Sequence, residues 1–162
     1  DDDRIVDKIT SIVDRVELPK HLLELEITEG SVMNNEEDVI EKLNIFKQLG
    51  IKLAIDDFGT GYSSLSYLKR FPIHLLKIDR SFVMNSLTDR VDADIIRTII
   101  ILAHSMGVDV IAEGIETKEQ CDLLESLNCD LVQGYMFGKP MPAEDFEEMF
   151  FPQLKKNITR TI

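Results

Sequence analysis

At 162 residues, 44% of them apolar, the chain is long enough to bury a substantial core in one domain and too apolar for a disordered segment. It carries 18 Lys and Arg against 30 Asp and Glu, a formal net charge of −12. That balance excludes recognition of DNA or RNA polymers through a basic surface. It leaves open a phosphorylated small ligand held through divalent cations, which reverse the local sign.

After Asp1-Asp2-Asp3, the spacing of Ile5, Ile9, Ile12 and Val13 predicts an amphipathic helix ahead of Leu22. Strands are predicted at 22–27, 52–56, 75–79, 108–112 and 131–133, with helices at 37–49, 63–70, 91–106 and 117–127. Val39, Leu43 and Phe46 share one helical face, as do Ile95, Ile99, Leu102 and Met106. Gly50 and Gly107 stand where a helix ends on a C′ glycine, and Thr117 with Gln120 forms a capping-box signature. A last helix is expected from about Ala143, after Pro140 and Pro142, followed by a frayed tail. The apolar run Ile99–Ala103 is far short of the roughly 18 residues a membrane span needs, and the N-terminus lacks the features of a signal peptide. A cytoplasmic location without membrane contact from this segment is therefore expected, although a parent protein could be anchored elsewhere. Cys121 and Cys129 have no second pair and no suitably spaced His, which predicts buried thiols rather than zinc ligands or a disulfide.

Strand–helix alternation implies a parallel sheet covered by helices, either a doubly wound sheet or a (β/α)8 barrel. The polar residues separate the two. Glu26, Asp56 with Asp57, Lys77, Glu113 and Gln133 each lie at or near the C-terminal end of a predicted strand. A barrel gathers all such ends into one ring, whereas an open sheet gathers only those at its switch point. The sequence therefore predicts a TIM-like barrel. A full barrel takes about 250 residues, so this chain is expected to cover about the last five βα units.

The most informative stretch is Ile55-Asp56-Asp57-Phe58-Gly59-Thr60-Gly61-Tyr62. Two adjacent carboxylates repel unless a cation lies between them, and a divalent metal is the economical explanation. The structural alternative is that one Asp caps the next helix while the other faces solvent. Leu25-Glu26-Ile27-Thr28-Glu29 adds a strand carboxylate and a second one in the loop beyond it. Leu76-Lys77-Ile78-Asp79 sets a lysine among apolar neighbours, where a structural ion pair is the ordinary reading; Ala112-Glu113-Gly114 and Gln133-Gly134-Tyr135 close the last two strands. Asp and Glu, rather than Cys or His, suit hard divalent cations. Two such ions activate a water and neutralise a phosphate, so the joint pattern predicts metal-assisted phosphodiester hydrolysis. Lys77 beside that water could orient it or accept a proton.

These motifs, Glu-Ile-Thr-Glu, Asp-Asp-Phe-Gly-Thr-Gly-Tyr-Ser-Ser, Lys-Ile-Asp, Ala-Glu-Gly and Gln-Gly-Tyr, resemble in order those of the EAL domains, bacterial cyclic-di-GMP phosphodiesterases. The resemblance runs from about Leu22 to Met141. It implies cleavage of cyclic di-GMP to linear pGpG with Mg²⁺ or Mn²⁺ at a two-metal centre, and inhibition by Ca²⁺. It assigns Glu26, Asp56, Asp57 and Glu113 to the metal centre. Lys77 would contact the nucleophilic water and Gln133 would position water or substrate. Glu29 would hold the loop Phe58 to Ser64, which the family uses to couple metal binding to dimerisation; a homodimer with attached sensory or GGDEF domains is implied. The Glu-Ala-Leu motif that names the family, and an Asn ligand in the same half, are not in this chain. The fragment alone is therefore expected to be inactive. The alternatives are a non-catalytic cyclic-di-GMP receptor, which usually loses part of the Asp-Asp or Lys set, and a packing or dimerisation module built on Ile95 to Met106.

Overall fold

The computed structural model describes residues 4–28, 36–61 and 68–151. Five strands, β1 Glu24–Thr28, β2 Lys52–Phe58, β3 Leu75–Ile78, β4 Asp109–Glu113 and β5 Leu131–Gln133, form one sheet. Every pairing is parallel and the spatial order is β1-β2-β3-β4-β5. A doubly wound sheet reverses its strand order at a switch point; a sheet that advances in one direction is a barrel arc. Within the described residues β1 and β5 each pair on one side only, so the arc is open.

The helices are α1 Ile5–Arg15, α2 Glu36–Gln48, α3 Arg80–Asn85, α4 Arg90–Ser105, α5 Lys118–Ser126 and α6 Ala143–Phe150, with a 3-10 turn at Lys20–Leu22. That turn follows Pro19 and delays the first strand by two residues relative to the sequence reading, leaving Leu22 exposed. The short helix α3 is not anticipated by periodicity; Asp79 caps it, its carboxylate accepting from the Ser81 N–H at 2.9 Å. The reciprocal capping box of Thr117 and Gln120 is present at α5. Of the helix expected at 63–70, residues 63–67 lie outside the described residues, as do Glu29 and the tail from 152.

One face of the sheet is apolar. Leu53, Ile55, Leu76, Ile78, Val110 and Ala112 are almost fully buried and meet Leu43 and Phe46 of α2 and Ile96, Ile99, Ile100 and Ala103 of α4. The apolar face of α4 is thus spent on the sheet, which removes Ile95 to Met106 as the basis of a dimerisation module. In α1, Val13 is buried but Ile12 is half exposed, a departure from the predicted stripe. Ile12 lies about 100° round the helix from Val13, at the edge of the buried face. Both cysteines are free and partly buried; Cys129 donates to the Leu131 carbonyl at 3.2 Å, and burial pushes its thiol pKa up to about 11. Among the described residues no helix is long and apolar enough to cross a membrane.

Two side interactions fix the ends of the sheet. Asp130 Oδ2 accepts from the Val110 N–H at 2.9 Å and lies 2.8 Å from His104 Nε2, tying α4, β4 and the approach to β5 together. Burial pushes the Asp130 pKa up, but His104 and the Val110 N–H outweigh it and hold the carboxyl below its usual range. A depressed carboxyl stabilises the fold above its unfolded pKa and loses that contribution as pH falls through the folded one. At the opposite end of β4, Ile115 N–H donates to the Gln133 carbonyl and Met136 N–H to the Ile115 carbonyl, both at 3.0 Å. The approach is so close that a Cβ on Gly134 would stand 2.1 Å from the Ile115 oxygen and 2.2 Å from its nitrogen.

Asp130→Asn should lower the melting temperature at pH 7, and the difference from the parent should shrink as pH falls below the usual carboxylate range and through the depressed folded pKa; a pH-independent difference would count against the assignment. Gly134→Ala should destabilise by about 3 kcal/mol or more, since backbone cannot yield to the new methyl as a side chain could. Gly138→Ala, where nothing lies within 4 Å of the new Cβ, should stay within about 0.5 kcal/mol in the same denaturant titration.

Candidate active site: carboxylates around a buried lysine

Register places the site. Thr28 pairs with Asp56, Ala54 with Leu75, Lys77 with Ile111 and Glu113 with Gln133. Because side chains alternate with period two, Glu26, Asp56, Lys77, Glu113 and Gln133 fall on the same face, opposite the apolar one. They come from five neighbouring strands, near the C-terminal ends.

The adjacent Asp pair is explained by a bulge. Ile55 pairs with Leu76 and Phe58 with Ile78, so β2 advances three residues while β3 advances two. Asp56 and Asp57 thus both stand opposite Lys77, as a β-bulge requires. Asp57 takes φ 56°, a left-handed conformation that Asp tolerates better than most residues. Its carbonyl accepts from both the N–H (3.3 Å) and the hydroxyl (2.9 Å) of Thr60, closing the turn at once. Gly59, at φ 99°, comes next; a Cβ there would lie 2.9 Å from the Phe82 ring.

Lys77 is the centre of the arrangement. Its side chain is 8% exposed, and its ammonium lies 2.7 Å from Glu26 Oε1, 2.9 Å from Asp56 Oδ1 and 2.8 Å from Glu113 Oε1. Burial alone would lower the lysine pKa, but Glu113, Glu26 and Asp56 together raise it above its ordinary value. In this ring the three carboxylates favour the charged, donating form of Lys77. Asp57 is exposed and makes no ion pair with Lys77, so the structure brings Glu26, Asp56 and Glu113 together and leaves Asp57 beside them. Glu29 lies outside the described residues.

The donor set suits a hard cation. All three converging groups are carboxylates, and Asp56 Oδ1 is buried without accepting a hydrogen bond, its 2.9 Å approach to Lys77 being an ion contact outside hydrogen-bonding angles. Among the described residues no three His, Cys, Asp or Glu side chains are already disposed to coordinate a metal. In this ring the Lys77 ammonium stands at the centre of the three carboxylates.

A cavity of about 150 Å³ opens beside the ring, lined by Glu113 and Gln133 together with Arg80, Glu116 and Tyr135. Sequence reasoning assigned no role to the last three. The signal for Arg80 was its place directly after the Lys-Ile-Asp strand end, in a βα loop of the kind that carries barrel sites. A larger apolar groove of about 1090 Å³ lies between the segment after β5 and α6, bordered by Val132, Phe137, Phe146 and Phe150.

The chain matches the family model for the EAL domain over residues 1–140. It is 43% identical over 144 residues to the cyclic di-GMP phosphodiesterase NbdA of Pseudomonas aeruginosa, covering 89% of this chain and 18% of NbdA. Its fold is similar to the PaMucR phosphodiesterase solved in complex with c-di-GMP, with a TM-score of 0.85, 40% identity, and coverage of 89% of this chain and 58% of that one. It is also similar to Klebsiella pneumoniae BlrP1 solved with manganese and cy-diGMP, with a TM-score of 0.76, 32% identity, and coverage of 83% and 34%. The chain thus spans less than a fifth of NbdA and under two thirds of the solved PaMucR chain. On this evidence the chain belongs to the EAL domain family.

Proposed function

We propose that the protein carrying this chain hydrolyses cyclic di-GMP to linear pGpG. The observation that carries the reading is the convergence of Glu26, Asp56 and Glu113 on one buried cation, on a single face of a parallel sheet. Relatives named as cyclic di-GMP phosphodiesterases, and a neighbour solved with manganese and the cyclic dinucleotide, support the substrate and the need for a divalent ion. An intact ring favours an enzyme over a receptor.

Glu26, Asp56, Asp57 and Glu113 would hold Mg²⁺ or Mn²⁺, in a centre suited to two ions. When bound, such ions lower the pKa of water and offset charge on the phosphate. This chain's own residues then position and steady the reactants. The Lys77 ammonium donates to the attacking water or to a phosphate oxygen, and the Gln133 carboxamide orients the same water or the substrate. Water adds to one phosphorus, the bond from that phosphorus to O3′ breaks, and a proton passes to the departing oxygen. The 5′-phosphate remains on the product, as pGpG requires. Glu29 supports the loop beyond Asp57.

The open edges of β1 and β5 and the apolar groove at α6 are where the remaining βα units of the barrel would pack. Those units would bring the Glu-Ala-Leu glutamate and the Asn to the ring. Further sensory or GGDEF-type domains fit a chain that matches so small a share of its relatives, and a homodimeric full-length protein belongs to the same proposal.

Asp56→Asn in the full-length protein should cut pGpG formation by two or more orders of magnitude, with little change in melting temperature; parental turnover would remove Asp56 from the metal centre. Lys77→Met should destabilise the metal-free protein by about 2–4 kcal/mol, because three carboxylates lose their common cation. Mn²⁺ should restore most of that loss in a thermal melt. A melt indifferent to Mn²⁺ would show that these carboxylates do not bind it.

A further inference from the structure

Among the described residues three polar or charged residues are buried: Lys77, Ser86 and Gln120. Lys77 belongs to the carboxylate ring. The other two meet on one main-chain oxygen, the Val83 carbonyl of α3, which accepts from the Ser86 hydroxyl at 2.8 Å and from Gln120 Nε2 at 3.4 Å. Gln120 reaches it from α5, 37 residues further along the chain. Its Oε1 accepts from the N–H groups of Glu116 (2.9 Å) and Thr117 (3.1 Å). Both ends of this carboxamide are therefore engaged, as its burial demands.

Helix capping accounts for only part of the arrangement. A capping box needs an acceptor at N3 for the N-cap N–H, which Glu supplies as well as Gln. The contact with Glu116 lies outside that box, and the contact with Val83 needs a donor that a charged Glu lacks. The sheet shows what the extra contacts do. The β3–β4 ladder ends at Ile78 and Ala112, so Glu113 stands one residue past the last pair with the strand that carries Lys77. Its ladder partner is Gln133 on the other side, yet its carboxylate lies 2.8 Å from the Lys77 ammonium. Beyond the ladder, the turn after β4 meets α3 through Gly114, where a Cβ would stand 2.6 Å from Arg80 Cβ, and through Gln120. The partners of the Gln120 carboxamide are all main-chain groups, so this brace is independent of the side chains at 83, 116 and 117.

We propose that Gln120 is a positioning residue for the metal centre: by bracing the turn after β4 against α3, it holds the Glu113 carboxylate where Glu26 and Asp56 converge. The proposal rests on the reading of these carboxylates as metal ligands, and adds a residue outside them that sets their affinity. Gln120 touches neither metal nor substrate and acts through the backbone that follows Glu113. Without the brace that turn has more conformations open to it, and ordering Glu113 onto a cation opposes binding.

The test is the dissociation constant for Mn²⁺, measured by calorimetry on the full-length protein without substrate, beside the melting temperature of the metal-free protein. Gln120→Met fills a similar space without the carboxamide. Gln120→Glu, when charged, keeps the capping box but cannot donate to Val83. Each should weaken Mn²⁺ binding by about 10-fold or more, the usual effect of losing a group that orients a metal ligand. Thr117→Ala is the control, because it removes the hydroxyl that accepts from the Gln120 N–H at 3.3 Å and leaves the brace in place. It should lower the melting temperature and bind Mn²⁺ as the parent does. Parental Mn²⁺ affinity in either Gln120 variant, or an equal loss in Thr117→Ala, would make Gln120 a structural residue only and overturn the proposal. Should Gln120→Met fail to fold, Gln120→Glu decides by the same constant. A parent protein that binds no Mn²⁺ would remove the metal centre and the role of Gln120 together. One that binds Mn²⁺ and leaves cyclic di-GMP uncut would remove the phosphodiesterase reading alone.

Discussion

Three strands each bring a carboxylate oxygen to within 3 Å of one ammonium, and the rest of the site is arranged around that fact. Glu26, Asp56 and Glu113 would repel one another if left facing each other without a cation. Lys77, projecting from a strand buried on both faces, supplies one. The contact is only partly shielded, since Glu26 remains 45% exposed, so its contribution to stability is well below that of a fully buried network. Its main consequence is placement: hard oxygen donors are held at one point on the sheet, where a divalent cation can compete with the ammonium for the same atoms.

How much of this was legible beforehand follows from which physical rules leave a trace in sequence. Strand alternation is a strict period, so polar residues at the ends of five apolar runs could be assigned to one ring, and Glu26, Asp56, Lys77, Glu113 and Gln133 do share a face. Nearest-neighbour strand order followed from their convergence. The bulge at Asp56-Asp57 was not legible, because one extra residue in a strand changes no pattern except the doubled carboxylate itself. Helix α3 was missed for a related reason: six residues are too few to show periodicity, and only the Asp79 cap announces it. Ile12 was assigned to the wrong side of the buried stripe because spacings of three and four tolerate a wide arc. The cavity that Arg80 and Glu116 line was not legible either, because it exists only once Gly114 and Gln120 bring two loops together.

The ring and the cavity beside it depend on different parts of the barrel rim. The ring sits on the strands, where alternation and register hold it. The cavity beside it is built from the turns that follow β3, β4 and β5, and depends on close backbone approaches at Gly114 and Gly134 rather than on the sheet. Loop residues there can change without disturbing the carboxylates, which is the usual division of labour in barrel enzymes.

The central claim is that these carboxylates exchange an ammonium for a divalent ion. Anomalous diffraction from crystals of the full-length protein grown with Mn²⁺ and cyclic di-GMP addresses it directly. The account predicts a manganese peak within ligand distance of Asp56 and Glu113, with Glu26 in the same cluster and Lys77 turned from its three-carboxylate contact toward water or phosphate. Manganese bound elsewhere, with Lys77 still holding all three carboxylates beside an ordered substrate, would contradict it.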